Sequence, residues 1–474
     1  MRSWMTAFLT TVLLTPVQLA TAAAGAPATP DAAPPATAAA EREAILARLL
    51  ALEKEVQELK ERLARAEAAE APAAAPSEAA ALADFAAAAA AAAAAAPATP
   101  APITLAAGAG NKSYLNLSLD ALIAAGGSTA AAVGDLQLGG HDPAQRGFTV
   151  QNVEIVFDAA VDPYFRGQAN VVMQVDPEGE TVVELEEAYA TTTSLPHGLQ
   201  LKAGQFLSEF GRLNPSHPHS WDFADQPLVS GRFFGGDGLR SVGARLSWLL
   251  PTRFYSEAYL TVQNSQGETL PSFRSVPGER LFGREIGETK VAGLADLLIV
   301  PRYAASFDLS DTQTLLVGAS AALGPNGSGD DGRTRIWGVD AFWKWKSPTA
   351  FQGFPFFKVQ GEWLRREVDA AATADLPAAT FADWGTYLQA SWGYKTGRVL
   401  GLRLDRVGGD QGDGEELALA RRWRVSPAFT YFVSEYSKLR LQYNFDRFDE
   451  LGRDEHSWWL QLEFLLGAHA AHKF

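Results

Sequence analysis

The sequence predicts an all-β transmembrane barrel of about sixteen antiparallel strands, preceded by an α-helical coiled coil. Three observations predict it: apolar and polar residues alternate with period two after Asn111, short and long connections alternate between those segments, and a heptad seam lies near the N-terminus.

The chain starts with Arg2, an apolar stretch from Trp4 to Leu19, and the small residues Ala20, Ala22 and Ala24. A charged start, a short apolar middle and an Ala-x-Ala exit mark residues 1–24 as a secretory signal peptide; an uncleaved anchor is the alternative. Residues 25–40 are an Ala/Pro-rich linker. Over residues 41–70 apolar side chains fall at Ile45, Leu49, Leu52, Val56, Leu59, Leu63 and Ala66, spaced alternately four and three apart, with charges such as Glu53, Lys54, Glu58 and Arg62 between them. That seam predicts a periplasmic coiled coil, or else one amphipathic helix docked elsewhere. Residues 71–110 return to low complexity, with unbroken alanine from Ala86 to Ala96 before Pro97, and read as a spacer.

Residues 111–474 form the predicted barrel. Leu439, Leu441, Tyr443 and Phe445 alternate with Lys438, Arg440, Gln442 and Asn444, and Trp458, Leu460, Leu462 and Phe464 repeat the pattern. Sixteen such segments start near Ser113, Phe148, Tyr164, Thr181, Gly198, Leu239, Arg253, Asp296, Gln313, Thr334, Phe356, Asp383, Arg398, Arg422, Ser437 and Glu455. Short connections are expected at 161–163, 194–197, 250–252, 310–312, 347–355, 395–397 and 434–436. Mostly longer ones lie between them, including 209–238 and 264–295. A soluble sandwich also alternates, but it has no reason to put all its tight turns on one side. Aromatic pairs at strand ends, Trp343 and Trp345, Trp392 and Tyr394, Trp458 and Trp459, are expected in interfacial girdles, and Phe474 is in phase with the outward set. Pro301 and Pro427 fall inside assigned strands, which implies wrong boundaries or bulges there.

A net charge of −15 argues against nucleic acid as a partner. The chain has no cysteine, so disulfides and thiolate chemistry are excluded.

Gly204-Gln205-Phe206, then Glu209-Phe210-Gly211-Arg212, then Gly236-Asp237-Gly238-Leu239-Arg240-Ser241-Val242-Gly243 opening the next strand, resemble the phosphate-selective porin O and P family of bacterial outer-membrane porins. The resemblance covers roughly residues 111–474. It implies a sixteen-stranded, usually trimeric barrel in outer-membrane lipid, a water-filled channel for passive diffusion of small hydrophilic solutes or ions, no enzymatic activity and no cofactor. It also implies that the third long connection folds into the lumen as a constriction loop. Its polar candidates are Glu209, Arg212, His217, His219, Asp222, Asp225, Arg232 and Asp237.

Strand phase nominates pore-lining residues: Arg166, Lys202, Arg245, Arg302, Lys358, Arg403, Arg424 and Arg440 among the bases, Glu257, Asp340 and Glu362 among the acids. Lys344, Arg422, Lys438, Glu154, Asp158, Glu184, Glu186, Asp308, Asp405 and Glu463 share that phase. Acids and bases nearly balance, so the residues do not carry phosphate specificity over from the family. The loop's own charges, two basic against four acidic, suggest a mild cation preference. His217 and His219 could hold a divalent metal with Asp222, but they read more simply as loop histidines and no metal is expected. No catalytic constellation stands out. A structural envelope protein that tethers the outer membrane through its coiled coil is the competing function.

Overall fold

The computed structural model describes Lys54 and residues 103–107, 113–160, 162–287, 290–410, 419–449 and 452–467. The expected signal peptide, linkers and coiled coil, apart from Lys54 and the few spacer residues 103–107, lie outside the described residues, as does Phe474.

The strands are β1 (Ile103–Ala107), β2 (Tyr114–Ser128), β3 (Gly147–Ala160), β4 (Phe165–Val175), β5 (Thr181–Thr192), β6 (Leu199–Leu207), β7 (Arg240–Leu249), β8 (Tyr255–Asn264), β9 (Arg280–Leu281), β10 (Arg284–Glu285), β11 (Leu297–Ser310), β12 (Gln313–Pro325), β13 (Arg333–Phe351), β14 (Phe354–Ala370), β15 (Ala379–Lys395), β16 (Arg398–Gly409), β17 (Arg422–Ser434), β18 (Ser437–Phe448) and β19 (Arg453–Gly467). An α-helix, α1 (Leu228–Phe234), lies between β6 and β7. Sixteen strands, β2–β8 and β11–β19, pair antiparallel with their neighbours, and β19 pairs with β2 to close the barrel. Closure gives each of the sixteen strands a neighbour on both sides, the condition for backbone crossing lipid. Among the described residues no helix is long and apolar enough to cross a membrane.

Alternation decides which face is which. On β16, Leu402 is 46% and Leu404 45% exposed, whereas Arg403 between them is 1% exposed. Trp337, Val339, Leu388, Leu441 and Trp458 are likewise exposed, while Arg245, Arg424, Arg440 and Asp446 are buried. Apolar outside and charged within inverts the soluble pattern, and it is the arrangement a hydrocarbon solvent selects.

Every predicted strand start lies within a few residues of the observed one. β1 was not predicted; it takes over the edge of β2 at Leu117, where the ladder with β19 stops at Ser118. The expected connection 347–355 is mostly strand, and the turn is Gln352-Gly353, both at positive φ (48° and 84°) as a two-residue hairpin requires. Pro301 and Pro427 overturn both expectations made for them. Each sits inside its strand, paired with Leu260 and Leu402 respectively, and the ladder on the other side omits two residues without changing register. A ring nitrogen without hydrogen removes a bond on one side only. Trp459 also departs from its expected place. It follows the alternation inward and is fully buried, so only Trp458 of that pair faces outward.

Candidate functional site

The 208–239 segment between β6 and β7 crosses the barrel interior. Pro215 and Pro218 keep its first half out of helix, apart from a single tight turn at Pro218–Ser220. Pro227 then precedes α1, and Gly235 (φ 80°) ends it, donating its N–H to Gly231 O at 3.0 Å.

The first contact is with β14. Glu362 accepts the backbone N–H groups of Arg212 (3.0 Å) and Leu213 (2.8 Å) and the hydroxyl of Tyr387 (2.8 Å). The Arg212 guanidinium lies 4.0 Å over the Phe342 ring and donates to Gln360 at 3.2 Å. From there the chain is strung between two walls. On one side the carbonyls of His219 and Trp221 accept from Lys438 Nζ (2.8 Å) and Arg440 Nη2 (2.7 Å). On the other side the imidazoles meet carboxylates: His217 Nδ1 lies 2.9 Å from Glu186, His217 Nε2 3.0 Å from Glu187, and His219 Nδ1 3.1 Å from Glu154. Burial alone would pull the His217 imidazole down, but the charges of Glu154 and Glu186 hold it well above its ordinary value.

Further along, Asp222 binds Lys358 Nζ at 2.7 Å. Asp225 accepts from Arg403 (2.7 Å), Arg424 (2.8 Å), Gln442 (2.7 Å) and Asn444 (2.7 Å). Burial would raise the Asp225 carboxyl; the two guanidinium groups instead bring it down to about 2. Asp142, in the β2–β3 connection, accepts the N–H of Gln226 at 2.9 Å, and burial beside Asp225 pushes it up to about 7. Arg232, on α1, binds Asp383 at 3.0 Å, and Arg366 binds the same carboxylate at 2.7 Å.

The helix end of the segment is held by packing. Phe210, Leu228, Val229, Phe233 and Phe234 join Leu270 and Phe273 of the next long connection and wall residues from Leu298 to Val407 in one buried cluster. Glycines on the wall form its sockets: a Cβ on Gly385 would stand 2.4 Å from Val229 Cγ2, and one on Gly338 2.7 Å from Phe210.

Most of the remaining nominated residues also face the interior. Arg245 binds Glu209, and its guanidinium lies 5.7 Å over Tyr259. Arg302 binds Asp340 at 2.6 Å. Lys202 lies over the Tyr189 ring at 4.2 Å, and Asp237 is 3.8 Å from His141. Glu257 is half-buried, and Arg166, at the start of β4, is exposed. The metal set considered from the sequence does not assemble, because Asp222 turns to Lys358 while the two histidines, stacked at 5.8 Å, turn the other way. Sequence reasoning missed Asp120, His141 and Glu187. Glu186 and Glu187 both point inward because the β4–β5 ladder skips Glu186, pairing Asn170 with Glu187 and Val171 with Leu185. Such a bulge breaks the alternation from which faces are read.

No family model matches the chain. The chain belongs to the same family as an uncharacterized protein of Aquifex aeolicus (strain VF5), 32% identical over 362 residues that cover 71% of this chain and 73% of that protein. Its fold is that of the outer membrane channel DcaP of Acinetobacter baumannii, at 12% identity and a TM-score of 0.50, covering 76% of this chain and 100% of that one. An anion-selective porin from Comamonas acidovorans aligns at 8% identity and a TM-score of 0.48, over 75% of this chain and 100% of that one.

Proposed function

We propose that this chain is an outer-membrane porin that lets small hydrophilic solutes and ions diffuse passively, with no enzymatic step. One observation carries the reading: a closed barrel exposes leucine and tryptophan outside, buries arginine and carboxylate inside, and draws its third long connection across the interior. Lipid is the solvent for the first surface and water for the second. In this reading residues 1–24 direct export, residues 41–70 form a periplasmic coiled coil, and the barrel assembles as a homotrimer.

Phosphate is not the proposed solute. The inward bases Arg302, Arg403, Arg422 and Arg424 are each paired with a carboxylate, so they present no unopposed ladder to an anion. The carboxylates along β2–β5 favour small cations. Planar-bilayer recordings of the purified protein test this. Stable conductance steps with reversal potentials on the cation side are expected; absence of steps would sink the porin reading, and strong anion preference the cation one.

A further inference from the structure

A cluster of imidazoles and carboxylates lies where the 208–239 segment meets β2, β3 and β5. One ligand atom each from Glu154, Glu186 and His217 lie within 4.8 Å of one another. His217 Nδ1 is 2.9 Å from Glu186 Oε2 and 3.5 Å from Glu154 Oε1. In a tetrahedral zinc site with bonds of about 2.0–2.1 Å, neighbouring ligand atoms stand about 3.3 Å apart. Those two spacings bracket that value.

The surroundings are those of a metal ligand set. The other nitrogen of His217 faces Glu187 Oε2 at 3.0 Å, and Glu187 is itself fixed by the Leu207 N–H at 2.8 Å. A carboxylate on the far nitrogen orients a ligating imidazole and raises its basicity. Glu154 Oε2 is steadied by His219 at 3.1 Å, and Asn170 donates to Glu154 Oε1 at 2.5 Å.

A second, independent observation points into the same place. Asp120 and His141 are 4% and 3% exposed, and neither the carboxylate oxygens of the first nor the ring nitrogens of the second have a hydrogen-bond partner. Asp120 Oδ2 stands 3.4 Å from His219, and His141 Nε2 stands 3.5 Å from Glu186. Buried polar groups left this way cost free energy unless something satisfies them. Asp120, Glu154, Glu186, Glu187 and Asp237 outnumber the three imidazoles, so the cluster attracts a cation. A cleft lined by His141, Glu186, Ser216 and Asp237 reaches the Glu186 side of the cluster.

We propose that Glu154, Glu186 and His217 bind a divalent first-row transition ion, with zinc the best match to one nitrogen and two oxygen donors. Bound there, the ion ties the crossing segment to β3 and β5 and narrows whatever passage runs beside them. The proposal stands on geometry and holds whether or not solutes pass.

Calorimetric titration of the full-length protein in detergent with zinc chloride, after chelator treatment and its removal, tests it. One saturable site per chain is expected, weakened at least tenfold in the Glu154→Gln/Glu186→Gln double variant. Absence of saturable binding, or unchanged affinity in the folded double variant, overturns the proposal. Should the variant not fold, zinc-edge X-ray absorption on the wild type decides. One imidazole with oxygen donors at about 2.0–2.1 Å supports the site, and two or more imidazoles overturn it.

Discussion

Along β14–β18 most interior carboxylates are held by arginine, whereas along β2–β5 Asp120, Glu154, Glu186 and Glu187 face imidazoles. Facing the first wall, Asp225 of the crossing segment accepts four hydrogen bonds, and the wall's own Asp383, Asp405 and Asp446 each hold a guanidinium. On the second wall Asp120 has no hydrogen-bond partner, and Glu186 is left to His141 and His217. Arginine stays charged at any accessible pH, so the first wall works as a clamp for the crossing segment. Imidazole ligates metals as guanidinium does not, so the second wall can take up an ion that the first cannot. One segment, 217–225, serves both by presenting carbonyls and aspartates to one wall and imidazole rings to the other.

Breaking the clamp is the largest expected effect. Asp225→Asn takes from Arg403 and Arg424 their shared carboxylate while each keeps one other, Asp405 and Asp446 respectively, so the loss is about 3 kcal/mol, the lower end for breaking a buried pair. Guanidinium unfolding in detergent reads that loss, and the segment becomes open to proteolysis. The pH dependence follows from the same group. Its folded value of about 2 lies below the ordinary 3.8, so its contribution is complete above about pH 4 and is lost as pH falls through about 2. A wild-type segment released already at pH 5 would contradict the clamp.

The clamp's acids and bases were legible as inward positions, because Arg403, Arg424, Arg440 and Glu362 keep strict period two on unbroken strands. Their partners were not. The loop's formal acidic excess suggested a free negative field, yet Asp222 and Asp225 are bound by wall bases whose reach across the barrel no local pattern records. The imidazole-facing wall was harder still to read. Glu187 shares a face with Glu186 only through a bulge, and His141 comes from a connection without periodicity. Proline inside β11 and β17 misled for a related reason, since alternation reports the faces of a strand and says nothing about the hydrogen bonds on each of its edges.

A middle-sized effect separates packing from charge within the clamp. In Gly385→Ala the new methyl would lie 2.4 Å from Val229 Cγ2, against a helix already held on both sides by buried side chains. Overpacking of this kind costs about 1–3 kcal/mol. Because α1 gives way before a paired β-strand does, the prediction is a displaced helix with Asp225 still bound. Unfolding then shifts modestly and single-channel conductance changes. Equal loss of stability in Gly385→Ala and Asp225→Asn would mean that packing and charge act as one unit.

The smallest effect is expected where the same chemistry lies outside the enclosure. Arg447 and Asp454 pair at 3.5 Å on the outward face near the ends of β18 and β19, with side chains 48% and 43% exposed. An ion pair screened by water contributes about 0–1 kcal/mol, because solvation of the separate charges nearly matches their attraction. Arg447→Ala therefore leaves the unfolding midpoint almost unchanged, although it removes an arginine–aspartate contact of the same type as those that hold the crossing segment. A loss above about 2 kcal/mol in that variant would show that the strength of the inner wall does not come from its burial, and the contrast between the two walls would need another cause.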